Sequence, residues 1–196
     1  PMAPVIVPPE ALHEFTDFQS FYDWLARHHD SAPEVWIRIF KKASGKATIT
    51  PVEAIDAVLC WGWIDAIKKS WDEESFVQRY CPRRPKSVWS QINRDNVARL
   101  ATAGLMTRHG EAQVEFAKGD GRWDAAYKTT MEPPDDLLAA ISANAAALKT
   151  YEGLTAQNRF ALTFRVHNLK TEAGRKKKIA SLVEMLGRGE TIYPQS

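Results

Sequence analysis

The chain has 196 residues, 44% of them hydrophobic and 26% charged, and a formal net charge of +2. That balance suits an ordinary globular protein with a core large enough to need no covalent staples. It excludes a disordered or collagenous chain and, since no apolar run nears about 18 residues, a membrane-spanning helix. Two cysteines, Cys60 and Cys81, are too few for a disulfide scaffold and do not form Cys-x-x-Cys. They suggest reduced thiols, and with no secretory pattern at residues 1–9 the expected location is cytoplasmic.

In chain order, Thr16-Asp17 caps a helix over 17–29 whose Phe18, Phe21, Tyr22 and Leu25 follow i, i+3, i+4, i+7 spacing. Val35–Phe40 is short, β-branched and aromatic, and is predicted to be a strand covered on both faces. Thr50-Pro51-Val52-Glu53 is a capping box with proline at the first helical position, and Gly62 ends that helix. Residues 64–71 and 75–81 are predicted to pair as a hairpin across Asp72-Glu73-Glu74. Period-two alternation would then put Asp65, Ile67, Lys69 and Trp71 on one face.

Beyond Ser90 only helices are predicted. They are an Ile92–Leu100 helix closed by Gly104, one from Thr107 to Lys118, two short ones divided at Asn144, one from Thr155 to His167, and one over 172–186. The expected class is α+β, with a small, mostly antiparallel three-stranded sheet packed with helices and followed by an all-helical C-terminal half. The chain is expected to be a single domain over 1–196. Its α/β part covers about 15–104 and its helical part about 105–190, and the proline turn at 132–135 marks the best subdomain boundary.

Function is concentrated in residues 59–96. Four of the chain's seven tryptophans lie there (Trp61, Trp63, Trp71 and Trp89), and residues 79–99 carry six positive charges against Asp95 alone. Arg83, Arg84 and Lys86 are braced between Pro82 and Pro85, and Ser87 or Ser90 opens a helix whose first N–H groups suit an anion. Guanidinium forks there would match phosphate or carboxylate, with Trp89 stacking on an arginine or on a ligand ring. The plain alternative is a solvated loop whose arginines pair with Asp65, Asp72 or Glu73. Trp61-Gly62-Trp63 either closes the core or lets a ligand approach, and Asp65 is the carboxylate placed to act as acid, base or cation partner.

The Asp120-Gly121-Arg122-Trp123 turn would extend an anion site if it packs near Arg83–Ser87. The candidate set is therefore Trp63, Asp65, Arg83, Arg84, Lys86, Ser87, Trp89, Ser90, Asn93, Asp120, Arg122 and Trp123, with Asn158 and Arg159 as weaker polar candidates.

Other chemistries find little support. Lys41–Lys46 lacks the glycine and hydroxyl residue of a P-loop, because Phe40 and Ala47 stand at those positions. The five histidines show no metal-ligand spacing, His28-His29 is expected to be a surface pair at a helix end, and no cofactor is indicated. No catalytic residue is named, so enzyme activity stays open. Lys170 with Arg175–Lys178 is a second basic cluster, expected to be a solvated helix face rather than a nucleic-acid site.

In combination, several pieces resemble the YdeI/OmpD-associated, or bacteriocin-protection, family. They are Trp36 with Phe40–Lys42, Ala54 through Cys60–Asp65, Pro82–Ser90 with Asn93, Lys118–Trp123, Gln157–Arg159, and Met185-Leu186 with Thr191–Pro194. The resemblance implies a bacterial protein of tolerance to bacteriocins or antimicrobial peptides, with an outer-membrane protein as partner. It carries over no catalytic residue, cofactor or substrate. Three readings follow: binding of a partner through the basic, Trp-rich surface; an enzyme or sensor for a small anionic ligand; and nucleic-acid binding.

Overall fold

Two capping boxes set the frame of the N-terminal half. In the computed structural model, which describes residues 5–128 and 130–195, Asp17 accepts from the Ser20 backbone N–H and starts α1 (Phe18–His28). Thr50 and Glu53 start α2 (Pro51–Cys60) in the same way. Among the described residues the strands are β1 (Leu12–His13), β2 (Val35–Phe40), β3 (Trp63–Ser70) and β4 (Ser75–Pro82), in the order β1-β2-β4-β3.

The α+β class holds, but the sheet has four strands rather than three and is mixed. β1 pairs parallel to β2 (Leu12↔Trp36), while β2–β4 and β3–β4 are antiparallel. A two-residue strand has no period to read, so its pairing is fixed only by the distant partner. The β3–β4 register also shifts between Asp65 and Lys68, which breaks the alternation expected from Asp65 to Trp71.

The chain divides into two compact units, residues 1–126 and 127–196, so the division falls ahead of the proline turn at 132–135. In the first unit, α1 and α2 cover one face of the sheet around Phe21, Leu25, Ile37, Val58, Trp63 and Tyr80. A second cluster (Leu59, Cys60, Trp89, Leu100, Val114 and Ala117) joins the end of α2 to α3 (Gln91–Thr102) and α4 (Arg108–Gly119).

The second unit consists of α5 (Asp135–Ser142), α6 (Ala145–Glu152), α7 (Ala156–His167) and α8 (Glu172–Gly187) around Leu137, Ile141, Leu162, Val166 and Leu186. Among the described residues no helix is long and apolar enough to cross a membrane.

Candidate functional site

The stretch that concentrates tryptophan turns mostly inward. Trp63 and Trp89 are 1% and 2% exposed, Trp61 is half-buried, and only Trp71 stands clearly in solvent at 42%. The expected Trp-rich surface is therefore core wall at two of its four indoles. Burying a large aromatic gains more than a surface position offers it. Trp63 also donates its indole N–H to the His29 carbonyl (3.1 Å), which fixes the C-terminal end of α1 against the start of β3.

The braced arginines part company. Arg83 is 7% exposed, with its guanidinium carbon 3.6 Å from the Trp89 ring centroid and Nη1 donating to the Val88 carbonyl at 3.4 Å. Arg84 and Lys86 point outward. The reason is local: the Arg84 and Ser87 backbones close a tight turn, with Ser87 N–H donating to Arg84 O and Arg84 N–H to Ser87 Oγ. Adjacent residues on such a turn face different ways, so Arg83 and Arg84 do not form one fork.

The Asp120–Trp123 turn does pack on the same segment. Arg122 Nη1 donates to the Ser87 carbonyl (2.8 Å), while its Nε pairs with Asp120 at 2.7 Å, so its charge is answered within the turn. Trp123 meets Trp89 edge-on at 5.0 Å, and Arg94 lies over Trp123 and donates to its carbonyl. Ser90 serves as cap of α3, accepting from the N–H of a half-buried Asn93. Asp65 lies on the exposed β3, yet its carboxyl is pushed up by partial desolvation, against its own backbone hydrogen bond and the pull of Arg83.

A different set of side chains surrounds open space. A cleft of about 250 Å³ is lined by His29, Asp30, Trp61, Gly62, Trp63, Pro82, Arg83, His109, Ala112 and Gln113. Trp63 and Arg83 are its only members from the sequence-derived set. The His29 and His109 rings lie 4.2 Å apart, and Trp61 packs on both, at 4.7 Å from His29 and stacked at 5.8 Å on His109. The Trp61 indole nitrogen is out of solvent and has no hydrogen-bond partner among the described residues.

Backbone contact places His109. Thr107, the cap of α4, gives both its N–H and its hydroxyl to the Cys60 carbonyl, at 3.1 and 2.6 Å. A Cβ on Gly110 would fall 2.5 Å from that same oxygen, so only glycine lets α4 begin there. Partial burial holds the His109 imidazole below its ordinary range, helped by His29 and Arg108 and opposed by Asp30.

His28 and His29 are not the surface pair expected. Both are half-buried, His28 against Trp24 (4.8 Å), one turn earlier on α1, and His29 against Trp61 at the end of α2. Among the described residues no group of three metal-ligating side chains comes together.

Residues 13–113, which contain this whole cleft, match the model of a domain of unknown function, DUF8412. The chain belongs to that family. Residues 130–189 match a second model, described as bacteriocin-protection, YdeI or OmpD-associated. Of the pieces that carry the resemblance, Gln157–Arg159 and Met185-Leu186 fall inside the second match, whereas Cys60–Asp65 and Pro82–Ser90 fall inside the DUF8412 match. No curated protein and no solved structure matches the chain.

In the second unit Asn158 is 1% exposed and clamps the C-terminal segment. It donates to the Tyr193 carbonyl (3.0 Å) and accepts from the Tyr193 N–H (2.9 Å). Its amide is used structurally, and so it leaves the candidate set. Arg175 of the second basic cluster is likewise answered, by a two-pronged pair with Asp136, and Lys176 by Glu172.

His29, Asp30, His109 and Gln113 were missed because nothing local links positions eighty residues apart. One signal was present: a glycine in the first turn of a helix, Gly110, marks a close backbone approach.

Proposed function

We propose that the protein acts by binding, and that its DUF8412 domain holds a small anionic ligand in the cleft of His29, Trp61, Arg83 and His109. The observation that carries this reading is the meeting there of two imidazoles and an indole, in a cleft whose lining also includes Arg83. The size narrows the ligand. At about 250 Å³ the cleft lies below the common span of about 300–1,000 Å³, which favours a single phosphate or a small carboxylate over a nucleotide.

Covalent catalysis at Cys60 has no support, since burial pushes its thiol up to about 12 and leaves it protonated. The C-terminal unit supports a protective role of the kind its matching model describes, in the cytoplasm by the reading of the two thiols. On this view the ligand-binding unit is the sensor or sequestering part of such a protein.

Thermal-shift screening against phosphate, sulfate and small carboxylates tests the reading. A ligand at 100 times its dissociation constant adds about 2.7 kcal/mol of stability. The expected result is a shift for at least one small oxyanion that is lost in Trp61→Leu and His109→Gln. No shift across the set, or a shift untouched by both changes, removes the cleft as the site.

A further inference from the structure

β3 is the outermost strand on its side of the sheet, and among the described residues it pairs only with β4. From Asp65 through Trp71, one residue past its end, every residue is exposed, Ile67 at 40% and Trp71 at 42%. Among the described residues no backbone hydrogen bond reaches the outer side of this stretch. Such a row of N–H and C=O groups is a template for a further strand, and lysines or a bulge commonly blunt it.

Both devices are present, and they leave part of the edge usable. The register shift lies between Asp65 and Lys68, and beyond it Lys68↔Gln78, Lys69↔Val77 and Ser70↔Phe76 keep a regular ladder. Lys68 lies over the Phe76 ring at 4.2 Å, while Lys69 Nζ donates to the Val5 carbonyl at 3.1 Å. Among the described residues neither lysine meets a carboxylate. The acids of this stretch lie to either side, Asp65 before the lysines and Asp72, Glu73 and Glu74 after them. Asp72 is taken by Arg38 and Glu74 by Lys46.

Charge then selects the occupant. A second copy laid antiparallel and centred on the lysines would set Lys68 against Lys69 and Asp65 against Asp72, like against like. Sliding the copies to relieve this moves their centre into the bulge or the hairpin turn, where no regular ladder runs.

We infer that the β3 edge takes an extended segment of a partner protein, with acidic residues facing Lys68 and Lys69 and apolar ones beside Ile67 and Trp71. Main-chain hydrogen bonds to the edge supply the affinity, and the lysine pair supplies the choice of partner. None of residues 65–71 lines the cleft, so this surface stands or falls independently of a ligand there.

Randomised peptides displayed on phage, selected on the full chain at low salt, are the probe. The expected result is enrichment of acidic residues between β-branched or aromatic ones. A synthetic peptide of the enriched sequence should bind the folded Lys68→Glu/Lys69→Glu variant at least ~10-fold more weakly. Exchanging the peptide's acids for lysine should restore binding to that variant. In the wild-type chain, which needs no substitution, amide exchange should slow within residues 65–71 when the peptide is added.

No acidic enrichment, an affinity untouched by the charge reversal, or protection confined to other residues overturns the proposal. Sedimentation showing a dimer that the same reversal abolishes would give the edge to a second copy, and overturns it too.

Discussion

A methyl group on Gly62 would come within 2.8 Å of the His109 carbonyl oxygen, so the turn after α2 and the first turn of α4 touch backbone to backbone. Gly62 also has a φ of +76°, which side-chain-bearing residues rarely adopt. Gly62→Ala therefore meets both backbone strain and a clash that no flexible side chain can relieve. Gly45 is the internal control, with φ +67° and nothing within 4 Å of an added Cβ. Gly45→Ala should cost about 1–2 kcal/mol in urea unfolding. Gly62→Ala should cost at least ~2 kcal/mol more and abolish ligand binding at the cleft. Equal costs for the two would mean that the contact yields easily.

Arg83 over Trp89 is the tightest cation–aromatic contact among those described, and it is buried. A desolvated guanidinium on an indole face is worth roughly 2 kcal/mol, against about 0.5–1 at exposed sites. A double-mutant cycle with Arg83→Met and Trp89→Leu should give a coupling of about 1–2 kcal/mol in chemical denaturation. A coupling near zero would make the stack incidental to stability.

Acid should weaken the first unit through two histidines. Burial, and then His28, holds His13 below the ordinary 6.5, and burial with His29 and Arg108 does the same to His109. The unfolded chain then binds more protons than the folded one as pH falls below 6.5, so stability is complete above that value. It is lost as pH drops through the lower folded values. Melting followed from pH 7.5 to about pH 5 should show the decline, and His13→Gln with His109→Gln should reduce it. An unchanged slope in the double variant would assign the decline elsewhere.

The two cysteines should behave differently. Cys60 is fully buried with its thiol pushed up to about 12, whereas Cys81 is partly accessible on β4. A thiol reagent at pH 8 should label one site in the native protein, Cys81, and two in urea. Because the folded thiol releases its proton later than its ordinary 9.0, the contribution of Cys60 is present below that value. It is lost as pH rises towards about 12. Rapid native labelling of Cys60 would show that the junction of α2 and α4 opens readily.

Much of the local structure is legible in the residues. The caps at Asp17, Thr50, Ser90, Thr107, Asn144 and Thr155 each bond an N–H three residues on, and they set helix starts that the sequence pattern locates within a residue or two. The Arg83-Arg84 pair misleads because proline fixes φ at its own position and says nothing of which side chain finds an aromatic face. His28-His29 misleads in the same way, because each ring finds its own aromatic partner, Trp24 on α1 and Trp61 at the end of α2.

By itself the sequence determined the α+β class, the helix boundaries and the hairpin, all of which depend on contacts a few residues apart. Tertiary structure alone decided the fourth strand, the burial of Arg83 and the meeting of His29 with His109. Each of these pairs groups that no local period or cap connects, through surfaces that exist only once the core has closed. The cleft belongs with these, because its walls come from the ends of α1, α2 and β4 and the starts of β3 and α4.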